Sequence, residues 1–106
     1  MQHQVGGAVD AWCFCRVNLH NKHGLHLRPA QRIVETASSF QADIRATKDH
    51  LDMNAKSIVD MIEFAAYMVN KVAYDDTEFQ FEALGDDAKE ALDALSKLID
   101  EGFGLD

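Results

Sequence analysis

The sequence is short of positive charge. Ten lysines and arginines stand against 18 aspartates and glutamates in 106 residues, a formal net charge of −8 with histidine neutral. Nucleic-acid backbones are bound through basic patches that release counterions, so nucleic acid is not expected among the partners. Long apolar runs are missing as well. The stretch from Ile62 to Val69 is interrupted by Glu63 and falls well below the roughly 20 residues of a membrane-spanning helix, so no membrane insertion is expected. Met1–Asp10 has neither the basic region nor the apolar core of a secretory signal, which makes the cytoplasm the expected location. Cysteine occurs twice, as Cys13 and Cys15. On one strand their Cα atoms would lie about 7 Å apart on the same face, poor geometry for a disulfide. A buried pair of small apolar residues is the plainer reading. A metal site joining them to His20 or His23 lacks a second ligand pair at recognised spacing. No metal and no cofactor are therefore expected. No internal repeat and no low-complexity segment is evident.

What is present suffices for one domain, near the lower end of sizes that hold a core unaided. Residues 1–10 are polar, carry Gly6-Gly7, and read as a loose N-terminal extension to a domain spanning 11–106. From Ala11 to Leu19 the pattern alternates, with Cys13, Cys15, Val17 and Leu19 on one face of a strand and Trp12, Phe14, Arg16 and Asn18 on the other. The two aromatics on that second face suggest some cover there. Leu27, Ala30, Ile33, Val34 and Ala37 recur at helical spacing, with Pro29 tolerated in the first turn.

Ala42, Ile44 and Ala46 alternate with polar residues, as do Leu51 and Met53, and Asp49-His50 between them reads as a hairpin turn without the usual glycine. A second helix is predicted from Lys56-Ser57 to about Asn70, with Met61, Phe64, Ala65 and Met68 facing inward and Tyr74-Asp75-Asp76 as the turn after it. Thr77–Ala83 reads as a strand. Asp87 and Glu90 have the spacing of a capping box opening a last helix that buries Ala88, Ala91, Leu92, Leu95, Leu98 and Ile99. Gly102 and Phe103 fit a Schellman stop. The order β-α-β-β-α-β-α, with apolar residues on one face of four strands, calls for a two-layer α/β (α+β) sandwich: a four-stranded antiparallel sheet with three helices on one face.

Chemistry concentrates in Asn21-Lys22-His23-Gly24-Leu25-His26-Leu27-Arg28-Pro29-Ala30. A histidine at a helix entry sits where free backbone amides and the macrodipole favour anions. An imidazole there is discouraged from protonating and keeps a lone pair at neutral pH. It can attack phosphorus, and the Leu27 and Arg28 amides together with the Arg28 guanidinium can hold the resulting phosphoryl group. On spacing alone, a histidine N-cap beside an exposed arginine is the plainer reading.

Gly24-Leu25-His26-Leu27-Arg28-Pro29-Ala30 resembles the active-site signature of the HPr family, histidine-containing phosphocarriers of the bacterial phosphoenolpyruvate-dependent phosphotransferase system. Asn54-Ala55-Lys56-Ser57-Ile58 resembles the family's regulatory-serine block, at the matching interval, and the likeness runs from about Ala11 to Phe103. The resemblance implies an HPr-like open-faced sandwich. It implies that His26 accepts a phosphoryl group on Nδ1 from enzyme I and passes it to an enzyme IIA component, with Arg28 holding the group. The chain would then be a carrier with no small-molecule turnover of its own, acting as a monomer. Ser57 would be the target of an HPr kinase/phosphorylase where one exists; read from the residues, it is equally a helix cap.

The chain departs from the family in its second helix. Ala65-Ala66-Tyr67 replaces a glycine-rich turn, and the link to Thr77–Ala83 is longer by about seven residues, close to two helical turns. Ile58, Val59 and Ile62 are predicted to stay partly exposed as the partner-docking patch, with Asp60 and Glu63 beside them putting partner choice in question. The alternatives are a regulatory HPr-like protein serving nitrogen or transcription control, and a non-catalytic interaction module. His20, His23 and His50 read as ordinary surface residues, with His23 a candidate for tuning the site.

Overall fold

In the computed structural model the residues described are 3–4, 11–19 and 27–104. Strand β1 is His3–Gln4, β2 Cys13–Asn18, helix α1 Leu27–Ser38, β3 Asp43–Lys48, β4 Leu51–Asn54, α2 Ile58–Val72, β5 Glu78–Leu84 and α3 Ala88–Asp100, closed by a 3-10 turn at Gly102–Gly104. The antiparallel sheet runs in the order β1-β2-β5-β3-β4. The four expected strands are all present. The two-residue β1 adds to their edge, pairing His3 with Cys15 and Gln4 with Phe14. The described part of the N-terminal stretch therefore lengthens the sheet sideways and does not cover its open face.

Alternation decides which face is buried. Cys13, Cys15 and Val17 on β2, Ile44 and Ala46 on β3, and Phe79, Phe81 and Ala83 on β5 all point into the core. The register lets large and small residues alternate across strands, with Phe81 between Cys15 on one side and Ala46 on the other. Phe79 meets Phe64 of α2 and Phe81 edge-on, each pair with centroids 5.2 Å apart, a geometry aromatic rings prefer. Both thiols are free and buried, and burial pushes the Cys15 thiol up despite a hydrogen bond involving Ser96.

Each helix lays one stripe on this sheet. From α1 come Ala30, Ile33 and Ala37, from α2 Met61, Phe64, Ala65 and Met68, and from α3 Ala88, Ala91, Leu92, Leu95 and Ile99. Two details of α3 differ from the sequence reading. Leu98 is only half-buried and Ser96 is buried instead. Asp87 is the N-cap residue but makes no side-chain cap. Its carboxylate reaches across to the Gln41 and Ala42 backbone N–H groups, both at 2.8 Å, so no capping box with Glu90 forms. These amides immediately precede β3, and Asp87 ties that strand's entry to the start of α3. At the other end Gly102 takes φ 63° and Phe103 is buried, as a Schellman-type stop requires.

Candidate functional site

His26 lies outside the described residues, as do His20 and the rest of 20–25. The helix that follows is described from Leu27 onward. Pro29 and Ala30 are buried under the first turn while Arg28 is exposed. Helical geometry leaves the first amides, at Leu27 and Arg28, without partners inside the helix, and Pro29 has no N–H to offer. The start of α1 thus combines donors that the helix itself does not use, the positive end of the macrodipole and an exposed Arg28, a setting that favours a phosphate-sized anion.

The second block, Asn54–Ile58, is a tightly built entry into α2. The Asn54 side-chain oxygen accepts from the Lys56 N–H at 2.9 Å, and the Ser57 N–H donates to the Asn54 carbonyl at 3.1 Å. Ala55 is buried and its N–H donates to the Ile44 carbonyl. The Lys56 ammonium donates to the Phe40 carbonyl at 2.7 Å, pinning the loop after α1. Ser57 is the N-cap residue of α2, its hydroxyl accepting from the Asp60 N–H at 3.2 Å. The Asp60 carboxylate turns back and accepts from the Asn54 N–H at 3.0 Å. The composition of this block signals a helix start, but not that Asp60 belongs to it.

On α2 the three candidate docking residues are exposed, Ile58 at 38%, Val59 at 64% and Ile62 at 45%. The four residues expected to face inward, Met61, Phe64, Ala65 and Met68, are buried. The helix runs two residues beyond the expected Asn70, to Val72.

A clamp that sequence reasoning missed holds these extra turns. The Tyr67 hydroxyl donates to the Asp49 carboxylate at 2.6 Å, and the Lys71 ammonium lies 3.1 Å from the same oxygen. Lys71 also sits 5.2 Å from the Tyr67 ring centre, and His50 meets that ring edge-on. The Tyr67 hydroxyl, then Lys71, hold the Asp49 carboxyl below its usual range, and Asp49 in turn raises both Tyr67 and Lys71. Asp49 can point this way because it turns the β3–β4 hairpin at φ 53°, a conformation aspartate tolerates. Beyond the helix, Lys48 pairs with Asp76 at 2.6 Å. Among the described residues, no group of three or more potential ligands stands as a metal site, and no helix is long and apolar enough to cross a membrane.

The chain is similar to known proteins in sequence and in fold. A family model described as "PTS HPr component phosphorylation site" matches residues 15–101. The phosphocarrier protein HPr of Neisseria meningitidis serogroup A is 34% identical over 88 residues, covering 83% of this chain and 91% of that protein. The HPr-like protein Crh of Bacillus subtilis is 34% identical over 86 residues, covering 81% and 93%. Among solved structures, HPr from Thermoanaerobacter tengcongensis aligns with a TM-score of 0.73 at 34% identity, covering 88% of this chain and 97% of that one.

Proposed function

The chain belongs to the HPr family, and from that membership we propose that it relays a phosphoryl group from phosphoenolpyruvate-charged enzyme I to an enzyme IIA component through His26. The observation that carries this reading is the family's signature running directly into α1, whose first turn holds Arg28 exposed and Pro29 buried. A neutral His26 Nδ1 attacks phosphorus, the donor's bond to phosphorus breaks with its electron pair, and the phosphoryl group ends on the imidazole. The Leu27 and Arg28 amides and the guanidinium offset the charge that gathers on the phosphoryl oxygens. One arginine and a few amides hold the group loosely enough to release it, as a relay requires. On this reading the protein works as a monomer in the cytoplasm.

Docking falls to Ile58, Val59 and Ile62. Ser57 is the second position open to phosphorylation, by an HPr kinase/phosphorylase. Its hydroxyl accepts from the Asp60 N–H, so a phosphoryl group placed there would sit at the N-terminus of α2, beside the Asp60 carboxylate. Asp60 and Glu63 beside the docking residues favour, as a second reading, a family member that serves regulation in place of sugar transport.

Incubation with enzyme I and phosphoenolpyruvate tests the relay. The expected adduct is acid-labile and base-stable, absent in His26→Ala, and formed more slowly in Arg28→Ala. Absence of labelling in the intact chain refutes the proposal.

A further inference from the structure

The outer surface of α2 carries more apolar exposure than Ile58, Val59 and Ile62 account for. Val69 is 44% exposed and Ala66 lies open between it and Ile62. Val59, Ile62, Ala66 and Val69 follow one another at intervals of three, four and three residues, the spacing by which one helix receives the side chains of another. At 1.5 Å per residue the row is about 15 Å long, nearly three turns. The opposite flank of the helix is occupied, with Asp60 bonded to Asn54 and with Tyr67 and Lys71 bonded to Asp49. The apolar row is therefore free while the helix beneath it is held at both ends.

We propose that the row from Val59 to Val69 is a docking seam for an amphipathic helix of another protein, carrying a lysine or arginine opposite Glu63. The inference deepens the docking reading above and rests on it for Val59 and Ile62; Ala66 and Val69 are additions. Charge decides the occupant. Glu63 is exposed at the edge of the seam, midway along its length and one turn from both Val59 and Ala66, and no ion pair engages it among the described residues. Asp75 is exposed just past the helix, whose C-terminal end adds negative potential. A second copy of the chain fits poorly. The antiparallel pairing that sets Val59 against Val69 and Ile62 against Ala66 is centred beside Glu63, bringing two carboxylates together. Each copy also carries a formal net charge of −8. A helix with basic flanks meets neither obstacle.

The test uses the full chain and two stapled helical peptides, both with leucine at the seam's spacing, one flanked by lysines and the other by glutamates. Fluorescence anisotropy should show the lysine peptide binding about tenfold more tightly at low salt, and the gap should narrow as salt rises. Glu63→Lys should reverse the order, and Val69→Asp and Ile62→Asp should each abolish binding while circular dichroism stays that of the parent. Equal binding of the two peptides overturns the proposal. So does undiminished binding by Val69→Asp, or a dimer in sedimentation that this substitution dissolves. Labelling of His26 by enzyme I is scored separately. Loss of labelling with the peptide preference intact removes the relay and leaves the seam standing.

Discussion

Replacing Ser57 by alanine separates its structural role from any regulatory one. The hydroxyl makes one bond that matters to α2, accepting from the Asp60 N–H at 3.2 Å. Losing an N-cap of this kind costs about 1 kcal/mol, with measured cases spread over roughly 0.5–2. Ser57 is half-buried, so water can reach the freed N–H and the loss should fall near the middle of that spread. For a domain of about this size, each kcal/mol lowers the melting temperature by about 4–8 °C. Ser57→Asp should lose less, because aspartate caps helices as well as serine does and its charge suits the helix start. What it adds is repulsion from Asp60, whose carboxylate already accepts from the Asn54 N–H. Like charges a turn apart oppose each other by a few tenths of a kcal/mol. In an Asp60→Asn background that penalty should vanish, and Ser57→Asp should match or exceed serine. Urea unfolding followed by far-ultraviolet circular dichroism measures all four variants, with His26 labelling rates recorded beside them. An unchanged midpoint for Ser57→Ala, or equal losses for alanine and aspartate, refutes the capping account.

Asp87 offers a pH signature. The Gln41 and Ala42 amides hold its carboxyl below the usual range, so its contribution is complete above the ordinary aspartate value of about 4 and fades as pH falls through the lowered one. Asp87→Asn should flatten that part of the acid-unfolding curve, read as urea midpoints against pH. Tyr67→Phe removes the hydroxyl of the hairpin clamp and should speed amide hydrogen exchange at the last turns of α2 while sparing α3. The same clamp should fail at both pH extremes. Asp49 loses its charge in acid, below its ordinary range. Lys71 and Tyr67, both raised, keep their stabilising forms up to their ordinary values and lose them as pH climbs through the raised ones. Gly85→Ala forces a side chain into φ 143° and sets its Cβ 2.9 Å from the Ala42 Cα. A Cβ fixed to one strand end against the backbone of another segment cannot yield cheaply, and a loss of about 1–3 kcal/mol is expected in denaturant unfolding.

Local rules carried the reading of this sequence as far as local causes reach. Cys13, Cys15 and Val17 against Phe14, Arg16 and Asn18 alternate with the period of a strand, and the buried face follows from it. Met61, Phe64, Ala65 and Met68 recur with the period of a helix and are its inner stripe. Asp87 departs from the capping box its spacing to Glu90 predicts because that spacing is a local signal, whereas the amides it binds lie 45 and 46 residues away along the chain. Helix α2 continues past Asn70 to Val72 for a related reason. Lys71 and Tyr67 are fastened by Asp49 of the hairpin, a partner supplied by tertiary structure. Ser96 is buried where its polarity argues for exposure, while Leu98, which lies to one side of the stripe, is only half-buried. For the site itself, spacing alone does not distinguish a phosphate-bearing histidine from a helix cap; the paired motifs point to the family whose model matches residues 15–101.

The construction of α2 bears on the docking proposed for it. Its first turn is fixed by Ser57 and by Asp60 reaching back to Asn54, and its last turns by Tyr67 and Lys71 on Asp49. None of these contacts uses Val59, Ile62 or Val69, which remain exposed. A helix fixed at both ends loses little freedom when a partner settles on it, and the ordering cost that usually weakens a small interface is correspondingly reduced. A relay needs partners that arrive and leave quickly through modest areas. A rigid apolar row meets that need better than a larger surface that must first be ordered. Cutting the clamp with Tyr67→Phe should therefore weaken binding to the seam although Tyr67 itself lies on the opposite flank. An unchanged peptide affinity in that variant would show that the seam's rigidity contributes nothing to docking.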